Sequence, residues 1–138
     1  MIYEFCAENV TLLEKAMQAG ARRIELCDNL AVGGTTPSYG VTKAAVELAS
    51  NYDTTIMTMI RPRGGDFVYN DLEIAIMLED IRVTAQAGSQ GVVFGALTAD
   101  KKLDKSNLEK LIDASKGMEI VFHMAFDELS DEDQLEAI

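Results

Sequence analysis

Two cysteines occur in the same short context near the start of the chain. Glu4-Phe5-Cys6 is echoed by Glu25-Leu26-Cys27, so that a carboxylate precedes each thiol by two residues. Because side chains alternate along a β-strand, the Glu and the Cys of each segment share one face, opposite the apolar residue between them. If the segments are neighbouring parallel strands, about 4.8 Å apart, Cys6 and Cys27 lie within reach of one metal ion. Soft thiolates select Cu(I) or Zn(II) over hard cations.

The cysteines also have a simpler interpretation. Free cysteine is among the most buried residue types and often packs as a small hydrophobe. Two thiols also fall short of the four ligands of a structural zinc site. The residues alone therefore leave both a soft-metal site and ordinary packing open.

The glutamates Glu4 and Glu25 are expected one layer deeper than the thiols. A buried carboxylate without a partner is costly, and Arg61 is the expected partner. Glu25 is predicted either to act as a catalytic acid or base with a raised pKa or to form an internal ion pair. For Glu4 we expect the ion pair.

The segment Arg61-Pro62-Arg63-Gly64-Gly65-Asp66 could bind an anion. It combines two guanidinium groups, on Arg61 and Arg63, with the pair Gly64-Gly65, which lets a backbone approach a ligand closely. The segment lacks the Lys-Ser/Thr pair of a P-loop, and the arginines could instead pair with Asp66 and neighbouring acids. It predicts either an anion site or a loop held together by ion pairs.

His123 is the only histidine, and Asp127 follows it four residues later. At the end of a predicted strand, His123 could be a general acid or base, a metal ligand, or a structural residue. With Glu25, these two are the candidate catalytic residues. No Gly-x-Ser-x-Gly motif supports a Ser-His-Asp triad.

Segments rich in Val, Ile, Phe or Thr alternate with segments rich in Ala, Leu, Glu and Lys, which is typical of repeated βα units. Strands are predicted at Ile2–Cys6, Arg23–Cys27, Thr55–Arg61, Gly91–Gly95 and Glu119–His123. Helices are predicted between them, the first over Val10–Ala19, with three ended by Gly20, Gly88 and Gly117 and a fifth capped by Ser130. The candidate residues above fall at strand ends, where α/β barrels and open sheets place their sites.

The predicted fold is α/β, a parallel (β/α) barrel of the TIM-barrel type. A closed barrel of eight units typically needs about 250 residues. The chain has 138 residues and supplies five predicted units, so we expect one partial-barrel domain over residues 1–138. Because open sheet edges are a liability, further sequence or a homo-oligomer is expected to cover them.

The chain carries 12 basic and 23 acidic residues, a net charge of -11. This charge repels nucleic acid and anionic lipid, although a local arginine cluster can still hold a small anion. The segment Met1–Phe5 does not resemble a signal peptide, and no apolar run approaches the roughly 20 residues that cross a bilayer. We expect a cytoplasmic protein with reduced cysteines. Core packing is expected for Met57, Met59 and Met77.

Three motifs at predicted strand ends together resemble the copper homeostasis family CutC. They are Cys27-Asp28-Asn29-Leu30-Ala31-Val32-Gly33-Gly34-Thr35-Thr36-Pro37-Ser38, Arg61-Pro62-Arg63-Gly64-Gly65-Asp66-Phe67 and Phe122-His123-Met124-Ala125-Phe126-Asp127. Family members look like TIM barrels and are linked to copper binding, and the resemblance implies Cu(I) at Cys6 and Cys27. The family's third motif usually reads Phe-His-Arg-Ala-Phe-Asp, whereas Met124 stands at the Arg position here, so a role of that Arg is not carried over.

Three functions remain open at this point. The resemblance favours a copper homeostasis protein that binds Cu(I) through its two cysteines and catalyses no reaction. The convergence of polar groups also fits an enzyme acting on a small anionic or phosphorylated metabolite, with Arg61 and Arg63 on the anion and Glu25 and His123 moving protons. The third possibility is a partial barrel without activity of its own.

Overall fold

A computed structural model of the protein describes residues 1–138 as five parallel strands and five α-helices that alternate along the chain. The strands are β1 Glu4–Glu8, β2 Arg23–Cys27, β3 Thr55–Met59, β4 Gly91–Phe94 and β5 Glu119–Phe122. The helices are α1 Leu13–Gln18, α2 Tyr39–Ala49, α3 Asp71–Gln86, α4 Lys105–Ala114 and α5 Asp131–Ala137, with short 3-10 helices at Leu30–Val32 and Met124–Glu128.

The strands form one parallel sheet in the order β1-β2-β3-β4-β5. A doubly wound sheet reverses its strand order at a switch point, and this sheet has no reversal. Each strand instead pairs with the next strand of the chain, as in a (β/α) barrel. The predicted fold, five consecutive units of a barrel, is confirmed.

The two faces of the sheet carry different side chains. One face packs against the helices in two apolar clusters, which join β2 to α1 and α2 and join β4 to α3 and α4. The opposite, inner face carries a smaller buried cluster, made of Cys27, Met57, Met59 and Val93. Met57 and Met59 are fully buried, as expected, and Met77 is buried on the helix side.

Four strands differ in their limits from the prediction. β4 and β5 each end one residue earlier than predicted, and β1 and β3 differ by two residues. β1 begins two residues late and continues to Glu8, because Ala7 is buried in the helix-side cluster whereas Ile2 is 66% exposed. β3 ends at Met59, since the backbone N–H of Arg61 donates to the hydroxyl of Thr36 instead of to a strand.

The helix ends follow local capping chemistry. The side chain of Ser130 accepts a hydrogen bond from the backbone of Asp133, which confirms the predicted cap of α5. α1 is shorter than predicted because Leu12, before its first turn, has a left-handed backbone with φ 58°. None of the helices has the length and apolar character required to cross a membrane.

Candidate functional site

The thiols of Cys6 and Cys27 meet around one carboxylate on the inner face of the sheet. β1 and β2 pair with Cys6 directly opposite Glu25. Cys27 lies two residues farther along β2, on the same face as Glu25. Each thiol donates to Oε1 of Glu25, with an S···O distance of 3.8 Å in both cases. We call Cys6, Glu25 and Cys27 the thiol cluster.

The predicted equivalence of the two Glu-x-Cys segments is wrong by two residues. Cys27 lies opposite Glu8 in β1, not opposite Cys6. The strands of a barrel are staggered relative to one another, and a stagger of two residues leaves every side chain on its predicted face. The stagger therefore brings both sulfurs to one carboxylate oxygen instead of setting them level with each other.

The two thiols differ in exposure but share a raised pKa. Cys6 is exposed on the edge strand, whereas Cys27 is buried. Burial and then the charges of Glu25 and Glu4 raise the pKa of Cys6 to about 11. Burial, reinforced by Glu25, also raises the pKa of Cys27. Both thiols are therefore protonated at neutral pH in the metal-free protein, and a bound metal must displace their protons.

Glu25 itself has a perturbed pKa. Burial raises it first, and the charge of Glu4 raises it further, while the hydrogen bonds from the two thiols act in the opposite direction. A carboxylate in these surroundings takes up a proton more readily than one in water. Glu25 is thus placed to receive a proton when a thiol loses one.

Glu4 pairs with a different arginine from the one predicted. Its Oε2 accepts a hydrogen bond from Nε of Arg23 at 2.5 Å, in a partly exposed ion pair. Arg61 forms no ion pair with Glu4 or with Glu25, since its side chain donates only to backbone carbonyls. The predicted internal pair with Arg61 is wrong because the strand register places Arg23 directly opposite Glu4.

The guanidinium of Arg61 is held by two glycine-containing loops. Nη1 donates to the carbonyl oxygens of Val32 and Gly34, at 2.6 and 2.9 Å. Nη2 donates to the carbonyl oxygen of Gly65 at 2.8 Å. A Cβ atom on Gly34 would lie 3.0 Å from Sγ of Cys27, so the same loop also closes against the thiol cluster.

Arg63 is engaged by carboxylates of its own loop and of α3. Its Nε donates to Glu73 at 2.5 Å, and its Nη2 donates to Asp66 at 3.1 Å. The hydrogen bond from Arg63 is the main cause that lowers the pKa of Glu73. A Cβ atom on Gly64 would lie 2.9 Å from Cβ of Val32, so Gly64 permits the two loops to pack together. The ion-paired interpretation of this segment thus describes Arg63 but not Arg61.

His123 lies just after β5 and is 6% exposed. Its Nδ1 accepts a hydrogen bond from the backbone N–H of Ala125 at 3.2 Å, and its Nε2 has no partner. Burial first and the charge of Arg61 second lower the pKa of His123 to about 4. Asp127 is exposed and forms no hydrogen bond with His123, so the structure does not join these two predicted residues.

Sequence reasoning missed two aromatic residues that lie against the arginines of this loop. Phe67 lies against Arg61, whereas the Tyr69 ring centroid lies 5.3 Å from Cζ of Arg63. Cζ of Arg61 lies 5.0 Å from the centroid of the Phe67 ring, and the His123 ring lies 5.0 Å from the same centroid. The hydroxyl of Tyr69 is buried without a partner. We call Arg61, Phe67, Tyr69 and His123 the arginine cluster. The available signal was an aromatic pair that closely follows the Arg-Pro-Arg segment, since aromatic faces commonly cover guanidinium groups.

The donor set at the inner face favours a soft metal over zinc or a hard cation. No group of three or more His, Cys, Asp or Glu side chains is arranged to hold a metal ion. A structural zinc site requires four ligands, so the thiol cluster does not fit one. Its two sulfur donors are of the type that Cu(I) prefers.

Comparison with known proteins gives consistent matches along the whole chain. The model of the CutC family matches residues 1–138. The CutC family protein of Enterococcus faecalis is 54% identical over 138 residues, which make up 100% of this chain and 66% of that protein. The CutC family protein of Streptococcus pyogenes serotype M6 is 54% identical with the same coverage.

A solved structure agrees with these sequence matches. CutC from Streptococcus agalactiae, described with its crystal structure as a candidate copper homeostasis protein, is 49% identical and superposes with a TM-score of 0.95. The match covers 99% of this chain and 65% of that protein. The chain therefore spans about two thirds of the length of these relatives. The match over all 138 residues and the shared architecture show that the chain belongs to the CutC family.

Proposed function

We propose that the chain is part of a copper homeostasis protein that binds one Cu(I) ion between Cys6 and Cys27. The observation that carries the proposal is that both thiols, from neighbouring strands, contact the same oxygen of Glu25. Thiolates are ligands that Cu(I) selects. The description of the Streptococcus agalactiae relative as a candidate copper homeostasis protein supports the same function.

The surroundings of the two sulfurs suit an ion that is taken up and released. Cys6 is exposed and offers a first contact, whereas Cys27 lies in a buried apolar cluster with Met57, Met59 and Val93. An ion that moves from the first thiol to both thiols leaves water and enters soft, apolar surroundings. Glu25 contacts both sulfurs and is placed to accept a proton that binding displaces.

Anaerobic titration with Cu(I) against a chromophoric Cu(I) chelator tests the proposal. The unmodified chain is expected to retain about one Cu(I) per molecule, as two thiolates shared by one ion require. The Cys6→Ala and Cys27→Ala double variant is expected to retain none. Each single variant is expected to bind Cu(I) at least about tenfold more weakly than the unmodified chain, because it has lost one of the two soft ligands.

Met77→Leu is the matched control for loss of a sulfur atom. Met77 is fully buried but belongs to the helix-side core, away from the inner face of the sheet. This variant is expected to bind copper as the unmodified chain does. A folded double cysteine variant that keeps the original Cu(I) stoichiometry would rule out the site.

A second candidate function is an enzyme acting on a small anionic metabolite. It is favoured by one observation, namely that the buried Arg61 lies beside a histidine and has no carboxylate partner. Of the three predicted catalytic residues, Glu25 belongs to the thiol cluster and Asp127 is exposed, so His123 alone belongs to the arginine cluster. Binding of an anion at Arg61 is the first requirement of such an enzyme.

A further inference from the structure

Arg61 is a buried cation without an acidic partner. It is 2% exposed, and its side-chain hydrogen bonds all go to backbone carbonyls. No carboxylate lies within ion-pair distance of it, whereas Arg63 nearby pairs with Asp66 and Glu73. A buried charge without a counter-charge is costly, and carbonyl dipoles offset only part of that cost. Arg61 therefore retains the capacity to bind an anion.

The buried side-chain atoms without a hydrogen-bond partner belong to the arginine cluster. They are Nε of Arg61, the hydroxyl of Tyr69 and Nε2 of His123. Because Nδ1 of His123 accepts from the N–H of Ala125, the proton of the neutral ring lies on Nε2. All three atoms can therefore donate a hydrogen bond. A set made of donors matches an acceptor-rich anion and does not match a metal cation.

The three donors belong to residues that pack around the two arginines of one loop. The Tyr69 ring centroid lies 5.3 Å from Cζ of Arg63. The Phe67 ring contacts both the guanidinium of Arg61 and the ring of His123. The charge of Arg61 reaches both other donors, since it lowers the pKa of His123 and opposes the rise that burial causes in the pKa of Tyr69. Tyr69 and His123 are 7% and 6% exposed, so these interactions take place away from bulk water.

We propose that Arg61, Tyr69 and His123 bind the oxyanion group of a small metabolite, either a phosphate or a carboxylate. This site differs from the anion site predicted from the sequence. It excludes Arg63, whose charge is balanced by Asp66 and Glu73, and it includes Tyr69 and His123 from outside the motif. Phe67, whose ring contacts Arg61 and His123, also lines a surface cavity of about 330 Å³. The proposal does not depend on copper binding.

Calorimetric titration of the metal-free chain with inorganic phosphate and, separately, with acetate tests this site, with chloride at matched ionic strength as the reference. Saturable binding of one oxyanion is expected, and the preferred one identifies the group. Tyr69→Phe and His123→Asn are each expected to weaken that binding about tenfold, as loss of one hydrogen bond to a charged group requires. His123→Asn retains an acceptor for the N–H of Ala125 and removes the Nε2 donor.

The Tyr69→Phe variant separates binding from folding. Its hydroxyl has no partner in the folded protein, so the melting temperature without anion is expected to be unchanged or higher. Tyr39→Phe is the matched control, since Tyr39 is 48% exposed on α2, and its affinity should equal that of the unmodified chain. The site is excluded if neither phosphate nor acetate binds better than chloride, or if Tyr69→Phe and His123→Asn both keep the original affinity.

Discussion

Protonation of His123 is expected to destabilise the fold as the pH falls. The pKa of His123 in the folded protein is about 4, and an unperturbed histidine titrates at about 6.5. Between these two values the unfolded chain binds a proton that the folded chain does not, so the free energy of unfolding rises with pH. Stability from this source is therefore complete above about pH 6.5 and is lost progressively down to about pH 4.

The size of the effect follows from the difference between the two pKa values. The full loss is about 3 kcal/mol, and about 2 kcal/mol of it falls between about pH 7 and about pH 5. His123 is 6% exposed, so solvent screening reduces this value only slightly. Urea unfolding at the two pH values, in buffers without phosphate, measures the change directly.

His123→Asn isolates the contribution of this one group. The other titrating residues are common to both proteins and cancel when the pH-dependent changes are subtracted. The variant is expected to lose about 2 kcal/mol less between about pH 7 and about pH 5 than the unmodified chain. Equal losses in the two proteins would refute the view that His123 is buried in its neutral form.

Two further predictions concern close contacts on the inner face. Gly95→Ala would place a Cβ 2.7 Å from Cε1 of His123. Urea unfolding should show that this variant loses about 1–3 kcal/mol of the free energy of unfolding. The control, Gly40→Ala in α2, should be neutral or stabilising. Equal stability of the two variants would contradict the close packing of Gly95 against His123. In metal-free protein at about pH 8, Glu25→Gln should speed alkylation of Cys6 about threefold. Loss of the carboxylate charge lowers the pKa of the Cys6 thiol, and the resulting increase in the thiolate fraction outweighs the lower nucleophilicity of that thiolate. Peptide mass spectrometry measures this rate, with Glu8→Gln as the control; an unchanged rate would mean that the charge of Glu25 does not control the thiol.

The sequence pattern was sufficient to predict the fold because each βα unit carries its own signals. Alternating strand and helix compositions gave five units, and β2 has the predicted limits. The limits of β1 could not be predicted in the same way. Ile2 and Ala7 are both compatible with a strand, and only packing against α1 and α2 buries Ala7 and leaves Ile2 in solvent.

The candidate site was predictable where it depends on strand alternation and not where it depends on the relative placement of strands and loops. Alternation placed Cys6, Glu25 and Cys27 on one face, and they meet there. The stagger between β1 and β2 decides which residue lies opposite Cys6, and nothing local encodes it. The partners of Arg61 are carbonyl oxygens, which every residue possesses, so side-chain types could not reveal them.

The thiol cluster and the arginine cluster share one structural element, the loop at Gly34. Its α-carbon faces the sulfur of Cys27 so closely that a Cβ would lie 3.0 Å from Sγ, and its carbonyl oxygen accepts from Arg61 at 2.9 Å. Arg61 is also the positive charge that partly opposes the raised pKa of Cys27. If the two proposals hold, an anion that neutralised Arg61 would remove support for the Cys27 thiolate, and a metal ion on Cys27 would lie against the loop that holds Arg61. Because coupling between two binding sites is reciprocal, copper and anion affinities measured separately must be compared with those measured together.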